Sequence, residues 1–286
     1  MKIKPLRTLG AALGAVAVIL GGAAFLSWQQ WGLEVTCTQV PVTGLPQGFE
    51  GMRVVHLSDL HGHVYGDDHR QLLERVAQAE PELIALTGDV IDQAHQRDIL
   101  PALAQGLSAI APTYYVTGNH EWAVGDVGQT KEILRENGVT VLSNQYILLE
   151  RGGDSVVLAG VDDPNGYADQ KPPGELYEEL EAAHPGLCTI LLAHRSNLFD
   201  RYAACGYDLI LAGHAHGGIV RLPFTDGVFG PGRQFFPTWT SGVYTLGDST
   251  LYATRGLGNN TTPIPGFRLF NRPEISVLEL VAARQG

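Results

Sequence analysis

Cysteine is scarce in this chain of 286 residues. The three cysteines, Cys37, Cys188 and Cys205, are far apart and form no CxxC pair, so the sequence indicates neither a zinc finger nor a disulfide scaffold. Internal repeats and low-complexity segments are also absent. The composition is 44% hydrophobic and contains 35 glycines and 16 prolines, which predicts a globular body with many tight turns.

Basic residues are few as well. The chain has 19 Lys and Arg against 30 Asp and Glu, a formal net charge of -11. Residues 1–26 contain three of the bases and no acid, so the remainder carries 16 bases and 30 acids. An acidic body repels nucleic acid, which argues against general binding of DNA or RNA polymers. Clustered carboxylates could instead serve metal ions.

Charge is missing altogether from residues 9–26, LGAALGAVAVILGGAAFL. A helix of this length, at about 1.5 Å per residue, just spans the hydrocarbon core of a bilayer. We therefore predict an uncleaved membrane anchor over residues 1–31. The bases Lys2, Lys4 and Arg7 precede the apolar run, and Trp28 and Trp31 follow it at an interfacial position.

The flanking charges predict that the short N-terminus stays in the cytoplasm and that the large domain lies outside, at the cell membrane. A cleaved secretory signal is the alternative, because Gly21 and Ala23 are small enough for a cleavage site. Either alternative exports the domain. Residues 32–50 are predicted to form a linker and a first strand, and residues 51–286 a single domain.

In that domain, short apolar strand-like runs alternate with helix-like segments, which predicts an α/β fold. Each of five polar motifs comes directly after a predicted strand. The carboxyl ends of strands in an α/β sheet form the crevice where ligands bind, so we expect the five segments to meet. The motifs are Ser58-Asp59-Leu60-His61, Gly88-Asp89-Val90-Ile91-Asp92, Gly118-Asn119-His120-Glu121, Ala193-His194 and Gly213-His214-Ala215-His216.

The spacing inside the motifs has a physical interpretation. Residues two apart in extended chain project to the same side, so Asp59 and His61 are predicted to reach one ion together while Leu60 points into the core. His214 and His216 are predicted to do the same. The glycines before Asp89, Asn119 and His214 would let the backbone turn sharply and approach the site.

Taken in order from residue 59 to residue 216, the pattern D-x-H, G-D-x-x-D, G-N-H-E, H and G-H-x-H resembles the calcineurin-like metallophosphoesterase superfamily. The resemblance implies a four-layer α/β/β/α sandwich that hydrolyses phosphoric esters with two divalent metal ions. It implies that Asp89 bridges both ions. Asp59, His61 and His216 would hold one ion, and Asn119, His194 and His214 the other.

Such mixed nitrogen and oxygen ligands suit manganese, iron or zinc better than calcium or magnesium. Two ions about 3.5 to 4 Å apart would lower the pKa of a shared water for in-line attack on phosphorus, and would neutralise charge on the phosphoryl oxygens.

The same resemblance implies that His120 protonates the leaving oxygen or stabilises the transition state, and that Asp92 hydrogen-bonds His120 and supports its protonated form. A helix N-cap is the alternative interpretation of Asp92. Among the other histidines, His56 is predicted to lie in the core, and His69, His95 and His184 on the surface. His63 is predicted to lie on the surface or to touch substrate. Arg195 is predicted to contact phosphate or to form a surface ion pair.

The motifs, together with the late R-G-L-G and R-P-E-I sequences, resemble most the exported or membrane-associated branch of bacterial phosphodiesterases, of the YkuE and YaeI type. Related enzymes cleave the pyrophosphate of UDP-2,3-diacylglucosamine at the cytoplasmic face. An enzyme of this type is an alternative here, but the anchor predicts an outward domain. We therefore expect a phosphodiester or pyrophosphate substrate in a membrane lipid or cell-envelope intermediate.

Two features of the later sequence bear on that substrate. Residues 214–273 hold five arginines, which predicts a patch that steers phosphate; they are Arg221, Arg233, Arg255, Arg268 and Arg272. The aromatic loop 224–244 is predicted either to bind acyl chains or the membrane surface, or to pack over the sheet.

Two other functions compete with this one. An exported nucleotidase or phosphomonoesterase on soluble substrates would need no hydrophobic loop. The other is a non-catalytic envelope-binding protein that keeps metal ions only for stability. The loss of one of the metal-ligand residues from the motifs would favour it, and none of these residues is missing.

Overall fold

The computed structural model describes residues 4–222, 225–232, 234–258 and 267–283. The first element is helix α1, Lys4–Trp31, 28 residues long. Its segment Gly10–Trp31 is long and apolar enough to cross a membrane, and the most apolar part of that segment is unburied. The predicted apolar helix is thus present. A signal sequence would have the same length and composition.

Within the described residues, twelve strands and six further α-helices follow α1. The strands are β1 Glu34–Val42, β2 Arg53–Leu57, β3 Leu83–Leu86, β4 Thr113–Tyr115, β5 Thr140–Val141, β6 Gln145–Arg151, β7 Asp154–Gly160, β8 Thr189–Arg195, β9 Leu209–Gly213, β10 Gly242–Leu246, β11 Ser249–Ala253 and β12 Glu274–Ala282. The helices are α2 Arg70–Gln78, α3 Leu100–Ile110, α4 Asn119–Val124, α5 Val127–Glu136, α6 Pro173–Ala183 and α7 Phe199–Cys205.

The strands form two six-stranded sheets. The first has the order β1-β12-β2-β3-β4-β5, and the second has the order β10-β11-β9-β8-β7-β6. Strands β2 to β5 are mutually parallel, as are β7, β8, β9 and β11. The carboxyl ends of these strands therefore lie along one edge of each sheet, where the sequence motifs begin.

Alternation along the strands divides the apolar residues into three cores. In β2, Val54 belongs to the core between the two sheets, whereas Val55 and Leu57 belong to the core that also holds Leu72 of α2 and Leu103 of α3. A third core packs α6 and α7 on the second sheet. Because successive side chains point to opposite faces of a strand, both faces of each sheet are covered. The predicted α/β sandwich of four layers is confirmed.

Strand β1 closes the first sheet at its edge. It pairs in parallel with β12 over all nine residues, from Glu34 opposite Glu274 to Val42 opposite Ala282. The predicted segment 32–50 thus contributes its strand to the same sheet as the body. The proposed boundaries of anchor, linker and domain stay predictions.

Candidate metal centre

The loop after β2 carries Asp59 and His61, and both side chains are buried. Leu60 between them is also buried, in the core beneath. Asp59 and His61 have φ of 53° and 50°, so the prediction that they stand two apart in extended chain is wrong. The left-handed turn arises because the loop is bonded to the next one. The Asp59 N–H donates to Gly88 O at 3.0 Å, and the His61 N–H donates to Asp89 O at 2.9 Å.

Asp59, His61 and His216 form one cluster at the sheet edge. The Nε2 atoms of His61 and His216 lie 3.2 Å apart, and Asp59 Oδ1 lies 3.8 Å from the first and 3.6 Å from the second. His216 has φ of 49° and His214 has φ of 70°, so the extended-chain explanation is also wrong for this motif. The three ligand atoms are nevertheless within 4.8 Å of one another.

Asp89, His194 and His214 form a second cluster beside the first. His194 Nε2 lies 3.1 Å from Asp89 Oδ2 and 3.2 Å from His214 Nδ1. Asp89 Oδ2 is also 3.9 Å from His61 Nε2 of the first cluster. Asp89 therefore stands between the two groups of ligands.

Asn119 begins helix α4 next to this carboxylate. Its neighbour His120 donates its backbone N–H to Asp89 Oδ1 at 2.8 Å. On its other side, a Cβ added at Gly118 would lie 2.2 Å from Asp89 Oδ1, which explains why glycine is needed there. The Asn119 side-chain oxygen is buried and has no hydrogen-bond partner. An unpaired buried amide oxygen beside a carboxylate is suited to accept a cation.

The residues present fit divalent metal ions. In each cluster two imidazole nitrogens face each other at 3.2 Å, an arrangement that a shared cation stabilises. His194 Nδ1 donates to Thr87 O at 2.7 Å, and His61 Nδ1 donates to Asp92 Oδ1 at 2.5 Å. These bonds fix the tautomer of each ring and leave Nε2 as the basic atom that faces the cluster.

The electrostatics agree with this donor set. Burial, together with the neighbouring His194 and His61, holds the pKa of His214 and His216 well below the ordinary value, so both rings are neutral ligands at neutral pH. Burial opposes a charge on His194, but Asp89 outweighs it and raises the pKa of His194 to about 10. A metal ion would therefore displace a proton from the Asp89–His194 pair.

His120 and Asp92 lie beside the clusters as a hydrogen-bonded pair. His120 Nδ1 is 2.8 Å from Asp92 Oδ1, and His120 Nε2 is 3.9 Å from Asp89 Oδ2. Burial lowers the pKa of His120, but the hydrogen bond to Asp92 and the charge of Asp89 have the larger combined effect and raise it. The helix-cap alternative for Asp92 is wrong, since the N-cap of the following 3-10 helix is Gln93.

One carboxylate oxygen of Asp92 accepts hydrogen bonds from two histidine rings. The sequence predicts the bond to His120 but not the bond to His61. The same Oδ1 accepts from His61 and from His120, whose rings meet edge to face at 4.9 Å. Asp92 therefore orients a predicted metal ligand and the predicted acid together.

Glu121 is the residue that sequence reasoning missed. It is completely buried and accepts four backbone N–H groups. Oε1 accepts from Val90 at 2.7 Å and Ile91 at 3.3 Å, and Oε2 accepts from Asp89 at 3.0 Å and Gly118 at 2.7 Å. Its carboxylate joins the loop that carries Asp89 to the loop that carries Asn119. The capping-box spacing Gly118-x-x-Glu121 was the available signal.

Some predictions for the histidines outside the two clusters and for Arg195 are confirmed, and others are wrong. His56 is buried in the core and bonds Thr87 Oγ1 at 2.8 Å, as predicted, and His95 is exposed. His69 is 1% exposed, so its surface assignment is wrong. Arg195 forms a bidentate pair with Asp163, which is itself buried; this pair is not a surface one. His63 is half-buried and its ring packs 4.9 Å from that of Trp31.

The predicted arginine patch is not a free basic surface. Arg268 is 1% exposed and donates to the carbonyls of Arg255, Gly258 and Asn271. Arg255 pairs with Glu34 and Glu274, and Arg272 pairs with Glu34. Arg221 pairs with the exposed Asp226 at 3.6 Å. Arg233 lies outside the described residues.

In the aromatic loop 224–244, one side chain packs on the protein and two others are exposed. Trp239 packs on Phe199 with ring centroids 5.4 Å apart, whereas Phe235 and Phe236 are each 70% exposed. Phe224 lies outside the described residues.

Comparisons with known proteins agree with the site. The family model of calcineurin-like phosphoesterases matches residues 52–218, a segment that contains all seven predicted metal ligands. The chain is 30% identical to the uncharacterized metallophosphoesterase YkuE of Bacillus subtilis over 96% of each chain. It is 32% identical to the phosphodiesterase YaeI of Escherichia coli over 71% of this chain and 72% of that protein. It is also 32% identical to the Bos taurus transmembrane protein with metallophosphoesterase domain, over 87% of this chain and 57% of that protein.

Proposed function

This chain belongs to the calcineurin-like phosphoesterase family and is a hydrolase, and we propose that it uses two divalent metal ions to cleave a phosphodiester or pyrophosphate bond in a membrane lipid or cell-envelope intermediate. The observation that carries the proposal is the pair of adjacent His and Asp clusters with Asp89 between them. Two cations held around a shared carboxylate are suited to promote in-line phosphoryl transfer to water.

Asp59, His61 and His216 would hold one ion, and Asn119, His194 and His214 the other, with Asp89 on both. When bound, the two ions supply an activated water and positive charge for the phosphoryl oxygens. Manganese, iron and zinc all suit this set of nitrogen and oxygen donors.

His120 supplies the proton in this proposal. Its Nε2 faces the Asp89 side of the cluster, where the leaving oxygen of the substrate would lie, and its Nδ1 is held by Asp92. Because Asp92 keeps the ring charged and correctly turned, His120 can donate a proton to the leaving oxygen as the P–O bond breaks. Asp92 thereby acts through His120 and His61 as a positioning residue.

The membrane substrate is supported by apolar surface and by relatives. The most apolar part of helix α1 is unburied, and Phe235 and Phe236 expose most of their side chains. Similarity to a protein described as a phosphodiesterase favours a diester, and two relatives described as transmembrane proteins favour an uncleaved anchor. The bases that precede the apolar run favour a catalytic domain outside the cell membrane. The soluble-nucleotidase alternative would leave this apolar surface without a role.

The test uses full-length protein in detergent micelles, loaded in turn with manganese, iron and zinc. Replacing His120 by Ala should reduce turnover of a phosphodiester by about 10²- to 10⁴-fold, with both metal ions retained by elemental analysis. His95→Ala, at an exposed histidine, is the matched control and should be active. Unchanged turnover in His120→Ala, or one metal per chain in the active protein, would refute the proposal. A preference for AMP that is insensitive to lipid would favour the nucleotidase.

A further inference from the structure

The end of helix α1 is clamped onto the body of the protein. Gln29 is 3% exposed, and its side-chain oxygen accepts from the Asn271 N–H at 3.3 Å. The Gln30 side chain donates to Arg268 O at 2.7 Å and accepts from the Arg268 N–H at 2.6 Å. Phe25 packs on Phe270 with ring centroids 5.9 Å apart. Only two residues then separate α1 from the edge strand β1, so the helix cannot swing freely on a linker.

The segment that receives α1 also supports the metal centre. Asn271 is fully buried and donates to His216 O at 2.7 Å and to Ile219 O at 3.1 Å. Arg268 holds Gly258 O, and the neighbouring Leu257 N–H donates to Ser58 O at 3.0 Å, next to Asp59. The helix end therefore lies one layer of residues behind the Asp59, His61 and His216 cluster.

The same helix residues mark where a bilayer would end. Gly10–Trp31 comprises 22 residues, which at about 1.5 Å per residue is about 33 Å of helix, close to the thickness of a hydrocarbon core. Trp28 and Trp31 at its end are about half exposed, and tryptophans are enriched at this interfacial level. The Arg272 guanidinium, which also pairs with Glu34, lies 4.3 Å from the Trp28 ring and so stands at the same end of the helix.

Exposed apolar side chains of the body lie in the segments that contact the end of α1 or that pair with those segments. Phe270 is 51% exposed, Val64 is 41% exposed and Leu222 is 47% exposed. Val64 follows His63, whose ring packs on Trp31. Leu222 is joined to the same segment through the Arg221 N–H, which donates to Leu269 O at 3.0 Å. We call Val64, Leu222 and Phe270 the membrane rim.

We propose that the membrane rim lies in the headgroup layer of the bilayer that α1 spans, so that the metal centre opens toward the membrane and takes its phosphoester from a lipid headgroup. The inference rests on the proposed phosphoesterase function and on α1 as an uncleaved anchor. The bilayer is the occupant because the surface continues an apolar helix of membrane-spanning length and carries aromatic and arginine side chains at its boundary.

Two esters with the same leaving group test the proposal: hexadecyl 4-nitrophenyl phosphate in phosphatidylcholine vesicles and methyl 4-nitrophenyl phosphate in water. Full-length, manganese-loaded protein in those vesicles is compared with Phe270→Glu and, as an independent variant, Leu222→Glu. Each should lower the rate on the hexadecyl ester about tenfold, because an exposed apolar anchor is replaced by a charge, and should leave the methyl ester within about twofold.

Leu246→Glu is the matched control. Leu246 is 47% exposed and pairs with Ser249 at the start of β11, at the sheet edge opposite the metal centre, so both rates should stay unchanged. Equal loss of both esters in the two rim variants, or an unchanged rate on the hexadecyl ester, would overturn the proposal.

A second readout does not depend on activity. Wild-type protein is reconstituted with a phosphatidylcholine whose photoactivatable diazirine lies near the headgroup, and the labelled residues are mapped by mass spectrometry. Labels on Val64 and Phe270, and none on Leu148 or Leu246, are expected. Labels confined to α1 would refute the contact of the membrane rim with lipid. An apolar partner protein would then be the better candidate to cover Val64, Leu222 and Phe270. Correct labelling without hydrolysis of either ester would refute the proposed function and leave the rim in place.

Discussion

Replacing Glu121 by Gln keeps the shape of a buried side chain but converts one of its acceptor oxygens into a donor. If the amide nitrogen replaces Oε2, it faces the N–H groups of Asp89 and Gly118, which now lie at 3.0 and 2.7 Å. Two charge-assisted hydrogen bonds are then lost, each worth about 1.5 to 3 kcal/mol. If it replaces Oε1, the N–H groups of Val90 and Ile91 lose their acceptor instead.

Part of this loss in the free energy of unfolding is offset. Burial, and then the nearby charge of Asp89, raise the pKa of Glu121, so removing its charge relieves a repulsion. We expect a net loss of about 2 to 4 kcal/mol in the free energy of unfolding. The larger effect should be on function, because the loops that carry Asp89 and Asn119 lose their common acceptor. Metal affinity or turnover should fall about 10- to 100-fold.

The assay combines chemical denaturation of metal-free protein, manganese titration and turnover of methyl 4-nitrophenyl phosphate. Glu136→Gln, at an exposed glutamate near the end of α5, is the matched control and should match the wild type in all three. A Glu121→Gln protein that is destabilised but binds manganese and turns over normally would show that the carboxylate supports the fold without positioning the site.

Three further predictions concern the same loops. Asp92→Asn removes the partner that raises the pKa of His120. Because turnover needs a protonated His120, the alkaline fall of the pH–rate profile should shift to lower pH. An unshifted profile would contradict the pairing of Asp92 with His120. Gly118→Ala places a Cβ 2.2 Å from Asp89 Oδ1 and should reduce manganese affinity at least about tenfold, whereas Gly128→Ala, whose nearest neighbour would be 3.8 Å away, should not. Chelation of the metals should abolish turnover. It should also lower the free energy of unfolding by about 2.7 kcal/mol for each bound ion, relative to protein at a metal concentration 100 times the Kd of that site; equal melting curves with and without chelator would argue against a metal bound in the native state.

The local sequence predicted the central strands well because each is a short apolar run that ends in a polar motif. The apolar run at 52–57 forms β2, Arg53–Leu57, and the apolar run at 209–212 forms β9, Leu209–Gly213. Helix α7, Phe199–Cys205, was missed because only Phe199 and Tyr202 of its seven residues are buried, too few for a clear period.

The members of the candidate site could be predicted because their residue types and order carry the information. Their geometry could not. Asp59 and His61 were expected in extended chain, but hydrogen bonds between neighbouring loops hold them at positive φ. Glu121 was missed because a carboxylate that binds backbone N–H groups across 31 residues leaves no pattern beyond its own motif. His69 was assigned to the surface by its type, whereas the tertiary fold buries it.

The pairing of β1 with β12 has a consequence for biosynthesis. Residues 34–42 emerge from the ribosome early, yet the strand that they join consists of residues 274–282. Until those residues arrive, β1 has unpaired backbone groups, and so does the flank of β2 that β12 covers. Contacts so distant along the chain close late in folding. Both edges therefore stay open until almost the whole chain has been synthesised, and β1 can complete its pairing only after residues 274–282 are in place.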